Sequence, residues 1–471
     1  MGAAPVRYAS FRDTRGGLFA LKYQPPRNQP VLVVMKGPLD PKSERVILDL
    51  NAADPSGNTA IDFFAPSLDG RFVAVVMSEK GSEEGTAYVI DARTGRRRAD
   101  AIPRVQLPTA GGSIAWDQSG SGFYYTRYPQ GDERPKEDER FYQQVYFHRL
   151  GTPPRTDRYE LGKDFPRIAE TRLETVPDSG HVLATVANGD GGEHAFYLRD
   201  PVGGWTKIAA FADNIRRMAL ANDGRIYAVS FKGAPRGNVI VLSRAHPDLK
   251  KALVLIPEGE NAIEDLHSTT LRLFVTYMAG GPSEVRIFDH LGKATTRLPT
   301  DRVANVSVGE VLGARDLLVH IQSYTSAPAW YLYSGVSGAL EKTELGGDSP
   351  VKFDDAEVVR EFAVSKDGTR VPISILMKKG TRLDGSNPAI LYGYGGYGIN
   401  MQPYFAVQNR AWLDQGGIYV VANLRGGGEF GEPWHLAGNL AKKQNVFDDM
   451  IGAAQHLVER GYTKSDRKSV V

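Results

Sequence analysis

Two glycine-rich stretches are the places where this chain could meet a reacting group: "YGYGGYG" (Tyr392–Gly398) and "LRGGGEFGEPW" (Leu424–Trp434). The surrounding Ile390–Asn400 packs four glycines and three tyrosines into eleven residues. So little side-chain bulk lets backbone come close to a ligand or to another backbone. Phosphate is one candidate, but neither loop presents G-x-G-x-x-G ahead of a helix within a βαβ unit, nor G-x-x-x-x-G-K-[ST]. The negative oxygen of a tetrahedral intermediate is another, and neutral donors suit it. A tyrosine hydroxyl qualifies, because with a reference pKa near roughly 10 it keeps its proton at neutral pH. On composition alone the plainer reading is favoured, in which Tyr392, Tyr394 and Tyr397 pack and stiffen a loop.

A nucleophile and a base are harder to find. No Gly-x-Ser-x-Gly occurs anywhere in the 471 residues, so the strained turn that exposes a hydrolase serine has no candidate. Of the nine histidines, His435 in "EPWHLAG" lies beside a glycine loop and is the one worth testing as a base. A base also needs a nucleophile and an orienting group within reach, and no serine stands in such a context. His456 falls within a helical pattern and reads as packing. Arg425 and Glu429 read as a pair that fixes the second loop. There is no cysteine, which removes disulfides, thiolate nucleophiles and cysteine-based zinc sites together.

Charge narrows the partners. With 57 basic and 55 acidic residues the formal net charge is +2, which argues for neither nucleic acid nor an anionic membrane. The runs "GRRR" (Gly95–Arg98) and "DERPKEDER" (Asp132–Arg140) read as solvated loops. No apolar centre of a signal peptide follows Met1, position 6 is Val where a myristoylation signal wants Ser or Thr, and no segment reaches the ~18 apolar residues of a membrane span. A reducing cytoplasm is the default expectation.

The loops need a scaffold, and the apolar pattern supplies one. Through the first two thirds of the chain a hairpin recurs, as in "DGRFVAVVMS", "SGFYYTRY", "SGHVLATVA" and "DGRIYAVSF". Taking its turns at Gly17, Gly70, Gly120, Gly180, Gly224, Thr270 and Asp316, the intervals are 53, 50, 60, 44, 46 and 46 residues. Each unit holds a further partner segment, from "PVLVVMKG" to "PAWYLYSGVSG". A multi-strand repeat of this length predicts a β-propeller of seven blades. After about Asp348 the pattern changes to a hairpin around Asp367-Gly368, two apolar strands that leave into the glycine loops, and a helix in "NVFDDMIGAAQHLVERGYT". Phe447, Met450, Ile451, Ala454, Leu457 and Val458 supply its predicted apolar face, Asn445 its N-cap with Asp448 three residues on, and Gly461 its stop. Strand, loop, strand, glycine loop and helix predict the opening of an α/β sheet, whose loops at the carboxyl ends of strands form the working crevice.

The combination of "YGYGGYGINMQPYF", "VANLRGGGEFGEPWHLAGNLAKKQNVFDD" and "SLDGRFVAVVMS" closely resembles the prolyl oligopeptidase family of serine peptidases. The resemblance implies a seven-bladed β-propeller over residues 1–348, set as a filter over an incomplete α/β-hydrolase domain in 349–471. It implies a Ser, Asp and His triad, cleavage of short proline-containing peptides after proline, no metal or cofactor, and a monomer. Tyr394 matches the family tyrosine whose hydroxyl helps form the oxyanion hole. Tyr397 falls where the family usually has a phenylalanine of the proline pocket, which keeps the ring and adds a hydroxyl. The triad is absent from these residues, so the expectation is a piece truncated at both ends and inactive by itself. A periplasmic location applies instead if a missing N-terminal segment carries a signal. An oligopeptidase B-like enzyme cutting after basic residues, and a catalytically dead propeller that binds a partner, are the alternatives.

Overall fold

A computed structural model describes residues 6–82, 84–105, 112–189, 192–466 and, as backbone, 468–470. Seven four-stranded sheets run through Arg7–Asp49, Thr59–Pro103, Ile114–Leu161, Ala169–Ala209, Ile215–Ile256, Ala262–Arg297 and Ala304–Lys342. Within each, strands pair antiparallel with their sequence neighbours. Every turn position named from the sequence falls between the first and second strand of a blade or, for Gly17 and Asp316, at the first residue of the second, and every partner segment forms the third. Short local connections made this legible: each blade is a meander whose register is set by tight turns such as Asp223-Gly224, where Gly224 has φ +83°.

First strands line a central channel of about 1080 Å³, with Arg12, Asp62, Arg172, Arg217, Asp265 and Glu310 facing into it. The ring closes between the last blade and the first without a shared strand. Tyr8 N donates to Leu345 O at 3.0 Å, Gly347 N to Val6 O at 3.0 Å, and Trp330 Nε1 to Tyr8 O at 3.2 Å. Beneath these bonds Phe11, Leu18, Met35, Leu312 and Leu318 share one apolar cluster, so burial supplements the few bonds at the seam.

"DERPKEDER" explains the longest interval, because it extends the connection between Gly122–Arg127 and Gln144–Arg149. It is less free than a solvated loop. Glu133 accepts from both Arg127 terminal nitrogens at 2.7 and 2.9 Å, Arg134 stacks on Tyr142 at 3.7 Å, and Asp138 takes Arg167 at 2.8 Å. "GRRR" is exposed as expected, with Arg97 over the Tyr88 ring and Arg98 reaching Asp100 at 3.2 Å.

After Lys342 the chain builds a five-stranded mixed sheet in the spatial order Ala356–Val364, Arg370–Lys378, Ile418–Ala422, Ala389–Gly393, Lys468–Val470. The hairpin around Asp367-Gly368 is antiparallel, and Ala389–Gly393 pairs parallel with both neighbours. Helix Gln444–Glu459 crosses it, burying Ala453 and Leu457 among Val371, Ile373, Leu391 and Val420.

Two details of that helix differ from the pattern reading. Its buried face is Val446, Asp449, Gly452, Ala453, Ala454 and Leu457, while Phe447 and Ile451 are more than half exposed. A small Gly452-Ala453 pair lets the helix approach the sheet, and the larger residues turn away. Asn445 is not the cap either. The helix continues from a 3-10 turn at Leu440–Lys442, and the Asn445 amide donates to Ala437 O at 2.8 Å. Gly461, at φ +73°, ends it as expected.

Propeller and sheet meet along a packed interface. Tyr324 of the last blade is buried with Phe353, Phe405, Leu413 and Val421. Arg360 donates to the carbonyls of Ala279 and Gly280 at 2.8 and 2.6 Å, and Glu432 N donates to Pro235 O at 3.2 Å.

Candidate functional site

Strand Ala389–Gly393 delivers the first glycine loop and strand Ile418–Ala422 the second, and the two loops interlock. Gly398 N donates to Gly426 O at 2.9 Å, and Gly426 N to Trp434 O at 2.9 Å. Neither side could carry a larger residue. A Cβ on Gly395 would lie 2.8 Å from Arg425 O, and one on Gly428 would lie 2.7 Å from Gly398 O. The glycines of both loops therefore serve mutual approach of backbone, in addition to any approach of a ligand.

Arg425 is the anchor beneath them. It is 4% exposed, its Nε and Nη2 reach Asp449 at 3.0 and 2.6 Å, its Nη1 reaches Asp367 at 2.5 Å, and Nη2 also donates to Ser365 Oγ at 3.0 Å. Asp449 additionally accepts Arg425 N at 3.0 Å. Burial opposes the guanidinium's charge, but the two carboxylates reverse that and raise its pKa. Bonding to Arg425 lowers the pKa of Asp367 far below the usual carboxylate range.

The expected Arg425–Glu429 pair does not form. Glu429, 1% exposed, instead accepts Met401 N at 3.0 Å and the Asn423 amide at 3.2 Å. Burial raises its pKa. The four-residue spacing suggested a local pair, whereas Asp449 and Asp367 are 24 and 58 residues away. The Asp-Gly turn and the aspartate on the helix were visible signals, but nothing in the sequence joined them.

The loops roof a cavity of about 890 Å³ between sheet and propeller. Gly396, Tyr397, Gly398, Glu432, His435 and Lys443 line it from one side, and His194, Arg216 and Glu264 from the other. His194, Arg216 and Glu264 also line the propeller channel, so the two spaces share walls. Tyr397 is 87% exposed and holds φ +54°, a left-handed conformation unusual for a bulky side chain. Tyr394 is 44% exposed, with its ring about 3.6 Å from where a Cβ on Gly396 would sit. Tyr392 is half-buried on the strand. Lys443 Nζ donates to Gly395 O at 2.6 Å, tying the helix entry to the tyrosine loop.

His435 lines the same cavity, with Nδ1 3.5 Å from Glu432 Oε1, and Glu432 Oε2 in turn 3.3 Å from Arg216. No serine is among the lining residues, so the histidine has no nucleophile there among the described residues. His456 is a packing residue as read, with Nε2 2.6 Å from Glu361, which also accepts Tyr462 OH at 2.9 Å. The propeller contributions His194, Arg216 and Glu264 were missed. Arg216 and Glu264 are on inner strands and His194 starts the third strand of its blade, so their relation to the loops exists only in the folded ring.

Comparison with known proteins agrees with this architecture. The family model described as "Prolyl oligopeptidase, N-terminal beta-propeller domain" matches residues 6–345, and that described as "Prolyl oligopeptidase family" matches residues 403–471. A prolyl endopeptidase of Elizabethkingia meningoseptica is 31% identical over 432 residues, covering 89% of this chain and 59% of that protein. Prolyl oligopeptidase A of Galerina marginata is 28% identical over 456 residues, covering 90% and 61%. Among solved structures, one from a study of two prolyl endopeptidases and their inter-domain dynamics superposes with a TM-score of 0.87 at 27% identity, covering 99% of this chain and 68% of that one. The chain thus spans about 59% of the length of the first of these relatives. With the propeller matched over residues 6–345 and the second glycine loop and helix within 403–471, the chain belongs to the prolyl oligopeptidase family.

Proposed function

We propose that this chain forms the propeller and the opening part of the peptidase domain of a serine peptidase that cleaves short peptides after proline. The observation that carries it is the pair of interlocked glycine loops that places Tyr397 in the wall of a cavity whose far side is the propeller, with the exposed Tyr394 in the same loop. In this reading the Tyr394 hydroxyl donates to the oxyanion of the tetrahedral intermediate. The Tyr397 ring, held out by its left-handed backbone, packs against the proline. Both relatives described above are named as prolyl enzymes, which supports proline over a basic residue as the specificity.

The 471 residues contain no Gly-x-Ser-x-Gly, and in this reading they lack the nucleophile, whose loss costs on the order of a millionfold in rate. By itself this polypeptide is expected to show no turnover of a proline reporter peptide. A longer product of the same gene is expected to cleave after proline and to be blocked by a serine-directed phosphonate. There, Tyr394→Phe should lower kcat by about 10²–10³, as removal of an oxyanion donor does, with little change in KM. Turnover by the 471-residue chain, or preference of the longer product for an arginine reporter, would overturn the reading.

A further inference from the structure

The third blade has the shortest inner strand of the ring, Ile114–Trp116. At its rim, where it meets the second blade, His148 is wholly buried with a carboxylate on each ring nitrogen. Nδ1 lies 2.8 Å from Asp157 Oδ1, and Nε2 lies 3.2 Å from Asp100 Oδ1. Asp157 precedes the outer strand of its own blade, and Asp100 belongs to the outer strand of the second blade, Arg97–Pro103. Their side chains are 2% and 1% exposed.

The other partners of both carboxylates are donors. Tyr125 OH donates to Asp157 Oδ2 at 2.8 Å, Gly151 N to Asp100 Oδ1 at 2.5 Å, and Arg98 Nε to Asp100 Oδ2 at 3.2 Å. Carboxylates that accept from every side are ionised, and each then needs a proton from the imidazole. We propose that His148 is held as a buried imidazolium which, bridging aspartates of two blades, makes the seam between the second and third blades a proton-dependent clasp.

A neutral ring would aim a lone pair at one carboxylate and leave two buried anions with the half-exposed Arg98 as their ion-pair partner among the described residues. Burial alone pushes the His148 pKa down, and Asp157 and then Asp100 more than reverse it. The Tyr125 phenol is pushed up by burial and by Asp157, so it remains a donor throughout. Because the folded-state pKa of His148 is raised above its ordinary 6.5, the clasp is complete below that value and is lost as pH rises through the raised one. On the channel side of the same seam the uncharged bond from Trp116 Nε1 to Ala65 O, 2.8 Å, persists. Loosening on the alkaline side therefore starts at the rim and spreads toward the channel residues Asp62–Ala65 and Ser113–Ile114.

The test is ¹⁵N spectroscopy of the histidine side chains in the full chain across neutral to alkaline pH, with amide-exchange protection factors measured in parallel. Both His148 ring nitrogens should still carry protons above pH 6.5, the ordinary histidine value. Protection in Arg97–Pro103 and Gln144–Arg149 should fall at least tenfold as His148 titrates, while Ile215–Leu220, two blades away, holds. Asp100→Asn should move that step to lower pH. His148→Gln should remove it, and if that variant fails to fold, the wild-type spectra and Asp100→Asn decide. A neutral single tautomer below the step, protection without any pH step, or a step of equal size in the distant blade would overturn the proposal.

Discussion

Removing the Arg425 side chain would strand Asp449, which has no exposed surface, beneath both glycine loops. Breaking one member of a buried pair typically costs about 3–5 kcal/mol, so Arg425→Ala should lower the urea midpoint of the α/β part by a corresponding amount. Arg425→Lys should recover only a fraction, because an ammonium cannot face Asp449 and Asp367 together as the planar fork does. A loss below about 1 kcal/mol would contradict the anchoring role, being the size of a surface pair. The acid limb gives a second readout. With its pKa lowered chiefly by Arg425, Asp367 contributes stability above its ordinary value of 3.8 and loses it as pH falls through the lowered one. Since its side chain is 48% exposed, solvent screening keeps the effect small. Asp367→Asn should flatten the acid limb of the stability curve without moving the neutral plateau by more than about 1 kcal/mol.

At the scale of elements, Gly452 offers a test whose sign is informative. In an exposed helix interior, glycine to alanine gains up to about 1 kcal/mol. Here a Cβ would overlap the Val364 carbonyl and lie 3.1 Å from Ser365 Cα, so Gly452→Ala should instead destabilise by about 1–3 kcal/mol, as overpacking does. Thermal melts would show it, and a raised Tm would mean the helix sits further from the sheet than described. The same helix marks how far the sequence could be read. Its existence and its Gly461 stop follow from local pattern, but which of two apolar stripes faces the sheet depends on how closely the backbones approach. The blades were legible because their pairings are between neighbours in sequence. The Arg425 partners and the propeller side of the cavity were not, because those contacts join segments tens to hundreds of residues apart.

For the whole molecule, the question is what keeps propeller and sheet together over the cavity. Beside the hydrogen bonds of Arg360 and of Glu432 N, two further kinds of contact cross that boundary. The Arg216–Glu432 pair spans it at 3.3 Å, but both side chains are more than a third exposed, where an ion pair is worth about 0–1 kcal/mol and weakens with salt. Tyr324 is 4% exposed, within a cluster that includes Phe353, Phe405 and Leu413, and truncating a buried aromatic costs about 3–5 kcal/mol. Burial rather than charge therefore dominates the docking. Glu432→Gln should leave a single unfolding transition almost unmoved at any ionic strength. Tyr324→Ala should weaken the coupling enough to separate melting of the sheet from melting of the ring in calorimetry, because the apolar contact that links their unfolding is gone. If Glu432→Gln separated the transitions and Tyr324→Ala did not, the ion pair would be the true latch, and docking would become sensitive to salt and to the charge carried into the cavity.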